Sequence, residues 1–165
     1  MSDETFDVVD DQDRVIGRAT RRDVHAKRLR HRAIHVFIFG PDGRIFLQKR
    51  SLAKDVAAGL WDSSCSGHVD SGEGYDQACV RELGEELGLT GVRPARWFRI
   101  EACPDTGEEF VWVYRLLHAG PFVLNPAEIS EGAWLSASQV DEALRESPER
   151  YASAFRLIWR RREPS

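Results

Sequence analysis

GHVDSGEGYDQACVRELGEELGL, running from Gly67 to Leu89, is the stretch that decides how this chain is read. Its second half predicts a helix over Tyr75 to Leu87, because Val80, Leu83 and Leu87 recur at i, i+3 and i+7 and Gly88 is a natural stop. On a wheel of about 100° per residue with Glu82 at zero, Glu86 falls at about 40° and Glu85 at about −60°. The apolar stripe lies between roughly 100° and 160° on the same wheel. The expectation is a helix with one packed face and an adjacent face of concentrated negative charge.

An isolated Glu-Glu pair on a helix is ordinarily a solvated surface, since glutamate is a good helix former. Three carboxylates in one sector repel, at a few tenths of a kcal/mol per i,i+4 pair. Arg81, four residues before Glu85, offsets part of that. The cluster becomes favourable when a divalent cation sits among the acids, and an all-oxygen set without cysteine or histidine suits Mg²⁺ or Mn²⁺ over Zn²⁺. Ahead of the helix, Gly67, Gly72 and Gly74 let the backbone approach a ligand closely or adopt positive φ.

Working outward, short strands are expected at Phe6 to Val9 and Arg14 to Ala19 around a polar turn. Thr20-Arg-Arg-Asp23 then opens a short helix in the manner of a capping box. Ala33 to Phe39 and Arg44 to Arg50 read as a hairpin around Asp42-Gly43. Leu52 to Leu60 is a loop, and Gly59 to Gly67 is strand or extended chain. Past the central helix come strands at Trp97 to Glu101, Glu109 to His118 and Ala133 to Leu135, then helices at Ser138 to Arg145 and Pro148 to Arg161. Strands interspersed with few helices predict an α/β fold, a mixed sheet packed between helices.

The totals agree with one domain over 1–165, its first 30 residues packing on the rest: 165 residues, 42% hydrophobic and 30% charged. A net charge of −4 argues against a nucleic-acid polymer as partner. Cys65, Cys79 and Cys103 form no C-x-x-C pair, and neither a leader nor a run approaching the ~18 apolar residues of a membrane span is visible. The expectation is a cytoplasmic protein without membrane contact, its cysteines acting as small hydrophobes.

The central segment resembles the Nudix box: Gly67, five residues, Glu73, seven residues, then Arg81, Glu82, Leu83, Glu85, Glu86, Gly88 and Leu89. At about 7% usage per position, its seven fixed identities recur by chance on the order of 10⁻⁸ per window, so accident is set aside. The resemblance implies a Nudix-type α/β/α sandwich and Mg²⁺-dependent hydrolysis of a diphosphate linkage, with a nucleoside diphosphate or related small molecule as substrate. It implies Glu82, Glu85 and Glu86 as metal ligands, the carbonyl of Ser66 or Gly67 completing the shell, and Arg81 and Glu73 orienting them. Glu85 or Glu82 would accept the proton. A further carboxylate from outside the box is expected at Glu128, with Glu109 the weaker candidate. Dimerisation is common in similar proteins, and a Nudix-like module without catalysis is expected only where box carboxylates are lost.

The N-terminal half resembles a branch near isopentenyl-diphosphate isomerase, through Leu29-Arg-His-Arg-Ala33, Gln48-Lys-Arg50, Gly59-Leu-Trp-Asp62 and Ser66-Gly-His68. Two departures favour hydrolysis over isomerisation. Ser66 stands where the isomerase has its cysteine, with Cys65 one residue away on the opposite face of an extended strand. The box is also intact, whereas in the isomerases it is degraded. In the isomerase, histidines near His31 and His68 help bind a metal; the plainer reading of His25, His31, His35 and His68 is satisfied core or surface residues. Arg21, Arg22, Lys49, Arg50 and Lys54 are either substrate-steering cations or solvated surface. Trp61 and Phe110 are either core or platforms for a base.

Overall fold

The computed structural model describes residues 4–162, so both ends of the expected 1–165 unit lie outside the described residues. Its strands are β1 (Thr5–Val9), β2 (Val15–Thr20), β3 (His31–Phe39), β4 (Ile45–Arg50), β5 (Trp61–Asp62), β6 (Cys65–His68), β7 (Ala95–Ile100), β8 (Glu109–Leu117) and β9 (Ile129–Leu135). Its helices are α1 (Arg21–Ala26), α2 (Tyr75–Leu87), α3 (Ala137–Glu146) and α4 (Ser153–Arg161). β1 and β2 form a separate antiparallel hairpin, and the other strands make one mixed sheet in which β3 and β8 run parallel.

That sheet is opened along its middle. β4 pairs with the C-terminal end of β3 through Ile38 and Phe39, and then diverges. Into the gap fit β6, antiparallel to Ala33–Val36 of β3, and β5, antiparallel to Gln48 and Lys49 of β4. β9 covers the far edge of β4. The gap is lined with buried polar residues, Gln48, Asp62, Ser63, Ser64 and Ser66. They meet one another's needs: Gln48 Nε2 donates to the Ser64 carbonyl at 3.3 Å, and Ser64 Oγ accepts from the Ile38 amide at 2.8 Å.

Strand alternation divides the core into two layers. Ala33, Phe37, Val111 and Val113 face α3 and α4, meeting Val140, Phe155, Ile158 and Trp159. Ile34, Val36, Ile38, Tyr114 and Leu116 face α2, meeting Ala78, Cys79, Leu83 and Leu87. The architecture is therefore the expected α/β sandwich, with helices on both faces of a mixed sheet.

Several sequence expectations need correction. Val80 is 45% exposed, not packed, and Glu86 is only 3% exposed. The buried residues of α2 are Ala78, Cys79, Leu83, Glu86 and Leu87, so its packed face centres at about 60° on the wheel and carries carboxylate within it. β9 begins at Ile129 instead of Ala133, because Glu131 and Gly132 pair with Lys49 and Gln48 despite their polar reading. The last expected helix is broken: Pro148–Arg150 is a 3₁₀ turn, Tyr151 forms a parallel bridge to Trp61, and α4 starts at Ser153. The extended run through Gly67 is two short strands separated by Ser63-Ser64. Thr20 does cap α1, accepting from the Asp23 amide at 3.2 Å. No helix among the described residues is long and apolar enough to cross a membrane.

Candidate active site

Gly88 ends α2 in the left-handed conformation (φ 68°), its N–H returning to the Gly84 and Leu83 carbonyls, so the helix stops where the box predicts. Arg81 organises the acids around it. Its Nε and Nη2 donate to Glu73 at 2.8 and 2.9 Å, its Nη1 to Glu82 at 2.7 Å and to Glu85 at 3.2 Å, and its Nη2 to the His68 carbonyl at 3.0 Å. Glu73 also accepts from the Asp70 amide at 3.0 Å. The loop, the helix and β6 are thus tied to one guanidinium.

Glu82 and Glu86 lie one turn apart against β6 and are close enough to share a proton. Burial, and for Glu82 the neighbouring Glu86, raises both above the usual carboxylate range. Glu86 Oε1 accepts from Gln48 Nε2 at 3.1 Å and from the Ser66 amide at 3.3 Å. Gly67 faces Glu82 so closely that a Cβ there would stand 2.3 Å from the Glu82 carboxyl carbon. Glu85 differs from both, with a side chain 55% exposed and Arg81 as its ion-pair partner. Glu128 is held by an ion pair with Lys54, and both act electrostatically on Glu86, so the acid expected from outside the box comes to the edge of this cluster.

Glu82 and Glu86, buried side by side, offer carboxylate oxygens as candidate ligands, with Arg81 paired to Glu82 and the Cys65 thiol in hydrogen-bond contact with Glu86. That set fits a hard divalent ion such as Mg²⁺ or Mn²⁺. Glu86→Gln should therefore stabilise the metal-free protein and abolish its response to Mg²⁺. Both folded-state pKa values lie above the ordinary glutamate value of 4.5, so the pair's contribution is fully present below it and is lost as pH rises. The variant's advantage in EDTA should then be larger at pH 8 than at pH 5, by roughly 5 °C in thermal midpoint. Equal midpoints for variant and wild type at both pH values would contradict the strain assigned to the pair.

On the opposite face of β6 lies a cavity of about 220 Å³. Partners in the β3–β6 ladder share a face, which puts Ser66 with His35 and His68 with Ala33 on the cavity side, and Cys65 with Val36 on the α2 side. Arg21, Arg50 and Lys54 line the cavity as cations; Arg22 and Lys49 do not. Arg50 Nη1 reaches Asp62 at 3.3 Å and Ser66 Oγ at 3.4 Å. One wall gathers His25, His31 and His68, whose ring nitrogens lie within 4.8 Å of one another. Glu109 joins them, at 3.2 Å from His31 Nε2 and 3.0 Å from His68 Nε2. Burial alone would raise the Glu109 pKa, but its bonds to the two imidazoles hold it well below the usual range. His35 stands apart as a satisfied core histidine, bonded to Ser63 Oγ at 2.8 Å and pushed toward its neutral form by burial.

Several candidates do not reach either site. Phe110 is 2% exposed with Arg99 stacked on its ring, so it is no base platform, and Trp61 packs into the α3–α4 layer. Cys65 and Cys79 are buried thiols whose pKa values burial raises. Nothing in the sequence marks Gln48 as a partner of Glu86, or the Ser63-Ser64 pair as partners of His35 and Gln48. Outside both sites, Asp13 accepts from Arg32 Nε (2.7 Å), Tyr75 Oη (2.8 Å) and Arg99 Nη2 (3.2 Å), a structural hub. A lone acid in a hairpin turn carries no signal that it will be met by three distant donors.

Comparison with known proteins agrees with this geometry. A Nudix domain family model matches residues 29–157. An uncharacterised Nudix hydrolase of Yersinia pestis is 38% identical over 141 residues, covering 83% of this chain and 75% of that protein. An isopentenyl-diphosphate Delta-isomerase of Photorhabdus laumondii is 33% identical over 162 residues, covering 94% and 90%. A crystal structure of a Deinococcus radiodurans protein superposes with a TM-score of 0.82 at 28% identity, covering 95% of this chain and 98% of that one. With its box intact and its acids gathered on the helix that the family model spans, the chain belongs to the Nudix hydrolase family.

Proposed function

We propose that this chain hydrolyses a diphosphate linkage in a small-molecule substrate, of the nucleoside-diphosphate type or related to it, with Mg²⁺ or Mn²⁺ as cofactor. The observation that supports the reading is the buried Glu82–Glu86 pair, two carboxyl groups that burial disfavours in their charged form and that a bound cation would favour. Glu82, Glu85 and Glu86 would hold the ion, with the Ser66 or Gly67 carbonyl. When bound, it supplies charge neutralisation at phosphate oxygens and acidity to water. Arg81 and Glu73 keep the acids in place. Glu85, the exposed acid paired with Arg81, would be the proton acceptor, with Glu128, paired with Lys54, the further carboxylate. Arg21, Arg50 and Lys54 give the cavity the charge to hold an anionic substrate.

A second reading, isomerisation of isopentenyl diphosphate, has one observation in its favour: Ser66, His68 and Glu109 all face the cavity beside those cations, and His31 is bonded to Glu109. The imidazole cluster also fits a second ion, of the kind that nitrogen ligands select. Both readings meet in one experiment. The protein is offered a panel of nucleotide sugars, dinucleotides, nucleoside triphosphates and prenyl diphosphates with Mg²⁺, Mn²⁺ or EDTA. Phosphate or nucleotide release that EDTA abolishes is the expected result. Conversion of isopentenyl diphosphate without hydrolysis of anything would hand the assignment to the isomerase, as would isomerase activity in wild type that Ser66→Cys merely raises.

A further inference from the structure

The N-terminal hairpin lies before the first residue that the family model matches, yet it is bonded directly to the loop of the box. Phe6 of β1 forms an antiparallel bridge with Asp70, and the Ser71 amide donates to the Thr5 carbonyl at 2.9 Å. Next to these backbone ties sits Asp7, with a side chain only 10% exposed. Its carboxylate accepts from Ser71 Oγ at 2.9 Å and from the Gly72 amide at 3.1 Å, and Arg18 stands 4.0 Å away. Gly72 is in the left-handed region (φ 82°), and its N–H finds its acceptor outside the loop, in the Asp7 carboxylate.

The bonds continue from there toward the acids. The turn that Asp7 pins is closed by the Glu73 amide on the Asp70 carbonyl at 3.0 Å. Glu73 in turn receives two bonds from Arg81, and Arg81 holds Glu82 and Glu85. A shift of Ser71 and Gly72 therefore moves Glu73, and Glu73 sets the guanidinium that orients two of the three helix carboxylates.

We propose that Asp7 is a positioning residue of the carboxylate centre, and that the N-terminal hairpin is a working part of that centre instead of a cover over it. The proposal rests on the reading of Glu82, Glu85 and Glu86 as ligands of a divalent ion. Asparagine at position 7 keeps the size but not the function: its carbonyl can serve one donor, while its NH₂ faces the other.

The test is calorimetric titration with Mg²⁺ alone, an ion that the imidazole cluster does not favour, on wild type, Asp7→Asn, Ser71→Ala and Glu82→Gln. Affinity should fall about 10-fold in Asp7→Asn and about 3-fold in Ser71→Ala, in line with the loss of charge-assisted hydrogen bonds. In the same variants the Gly72 amide should exchange its hydrogen faster, and kcat should fall more than KM rises. Wild-type affinity in Asp7→Asn, with binding lost in Glu82→Gln, would overturn the positioning role alone. Unimpaired binding in Glu82→Gln would instead remove the carboxylate reading beneath it. Should Asp7→Asn fail to fold, Ser71→Ala decides, because it removes only one half-buried loop hydroxyl, and unchanged affinity there overturns the proposal.

Discussion

Glu85→Gln is expected to lower turnover by roughly 10²- to 10⁴-fold, the range a positioned proton acceptor contributes. The expectation comes from contrast among neighbours on one helix. Glu82 and Glu86 are sunk against β6, where burial raises both pKa values, so neither exchanges a proton with solvent at low cost. Glu85 is the exposed member, and Asn125 anchors its backbone through a bond of 3.2 Å to the carbonyl. Glutamine preserves the shape and removes one ion pair with Arg81, a surface interaction worth about 0 to 1 kcal/mol. The thermal midpoint should therefore stay within a few degrees of wild type while the rate collapses. Turnover near the wild-type rate would take the role away from Glu85.

Gly67→Ala should be as damaging by a different route. The added methyl group would lie 2.3 Å from the Glu82 carboxyl carbon and 2.6 Å from each of its oxygens. Something must move, and the β6 backbone is held by its ladder with Ile34 of β3. The Glu82 side chain is the part that can yield, so the fold survives and the ligand is displaced. Mg²⁺ binding should become undetectable by calorimetry and hydrolysis should drop to background. The stability loss should be limited to about 1–3 kcal/mol, as for other overpacked positions. Normal Mg²⁺ affinity in this variant would mean that Glu82 is not where the ion is held.

How far the sequence carried this reading differs from element to element. α2 was legible to the residue, because its periodicity, its glycine stop and its acids all agree. Which way the helix turned was not legible. Hydrophobicity pointed to Val80, but the packed face was decided by the surface that β6 offers, where Gly67 leaves room for a carboxylate and Ser66 supplies a donor. β9 and the break before α4 escaped for a related reason. Glu131 and Gly132 become strand by pairing with β4, and Tyr151 by bridging to Trp61, partners more than 80 residues away in each case. The acids of the site could be named from spacing. Of the cluster of His25, His31, His68 and Glu109, likeness to other proteins pointed only to His31 and His68, since the four join separate parts of the chain.

The two-sidedness of β6 has a consequence for how such a protein diversifies. Alternate residues of one four-residue strand answer to different demands, Cys65 and Gly67 to the acidic helix, Ser66 and His68 to the cavity. On the proposed function, a single side-chain replacement at 66 or 68 should alter which molecule is accepted while the carboxylates of α2 are left untouched. An insertion or deletion has no such freedom, because a slip of one residue exchanges the two sets wholesale. Lineages built on this strand should be able to explore new substrates by point changes, and should show almost no variation in its length.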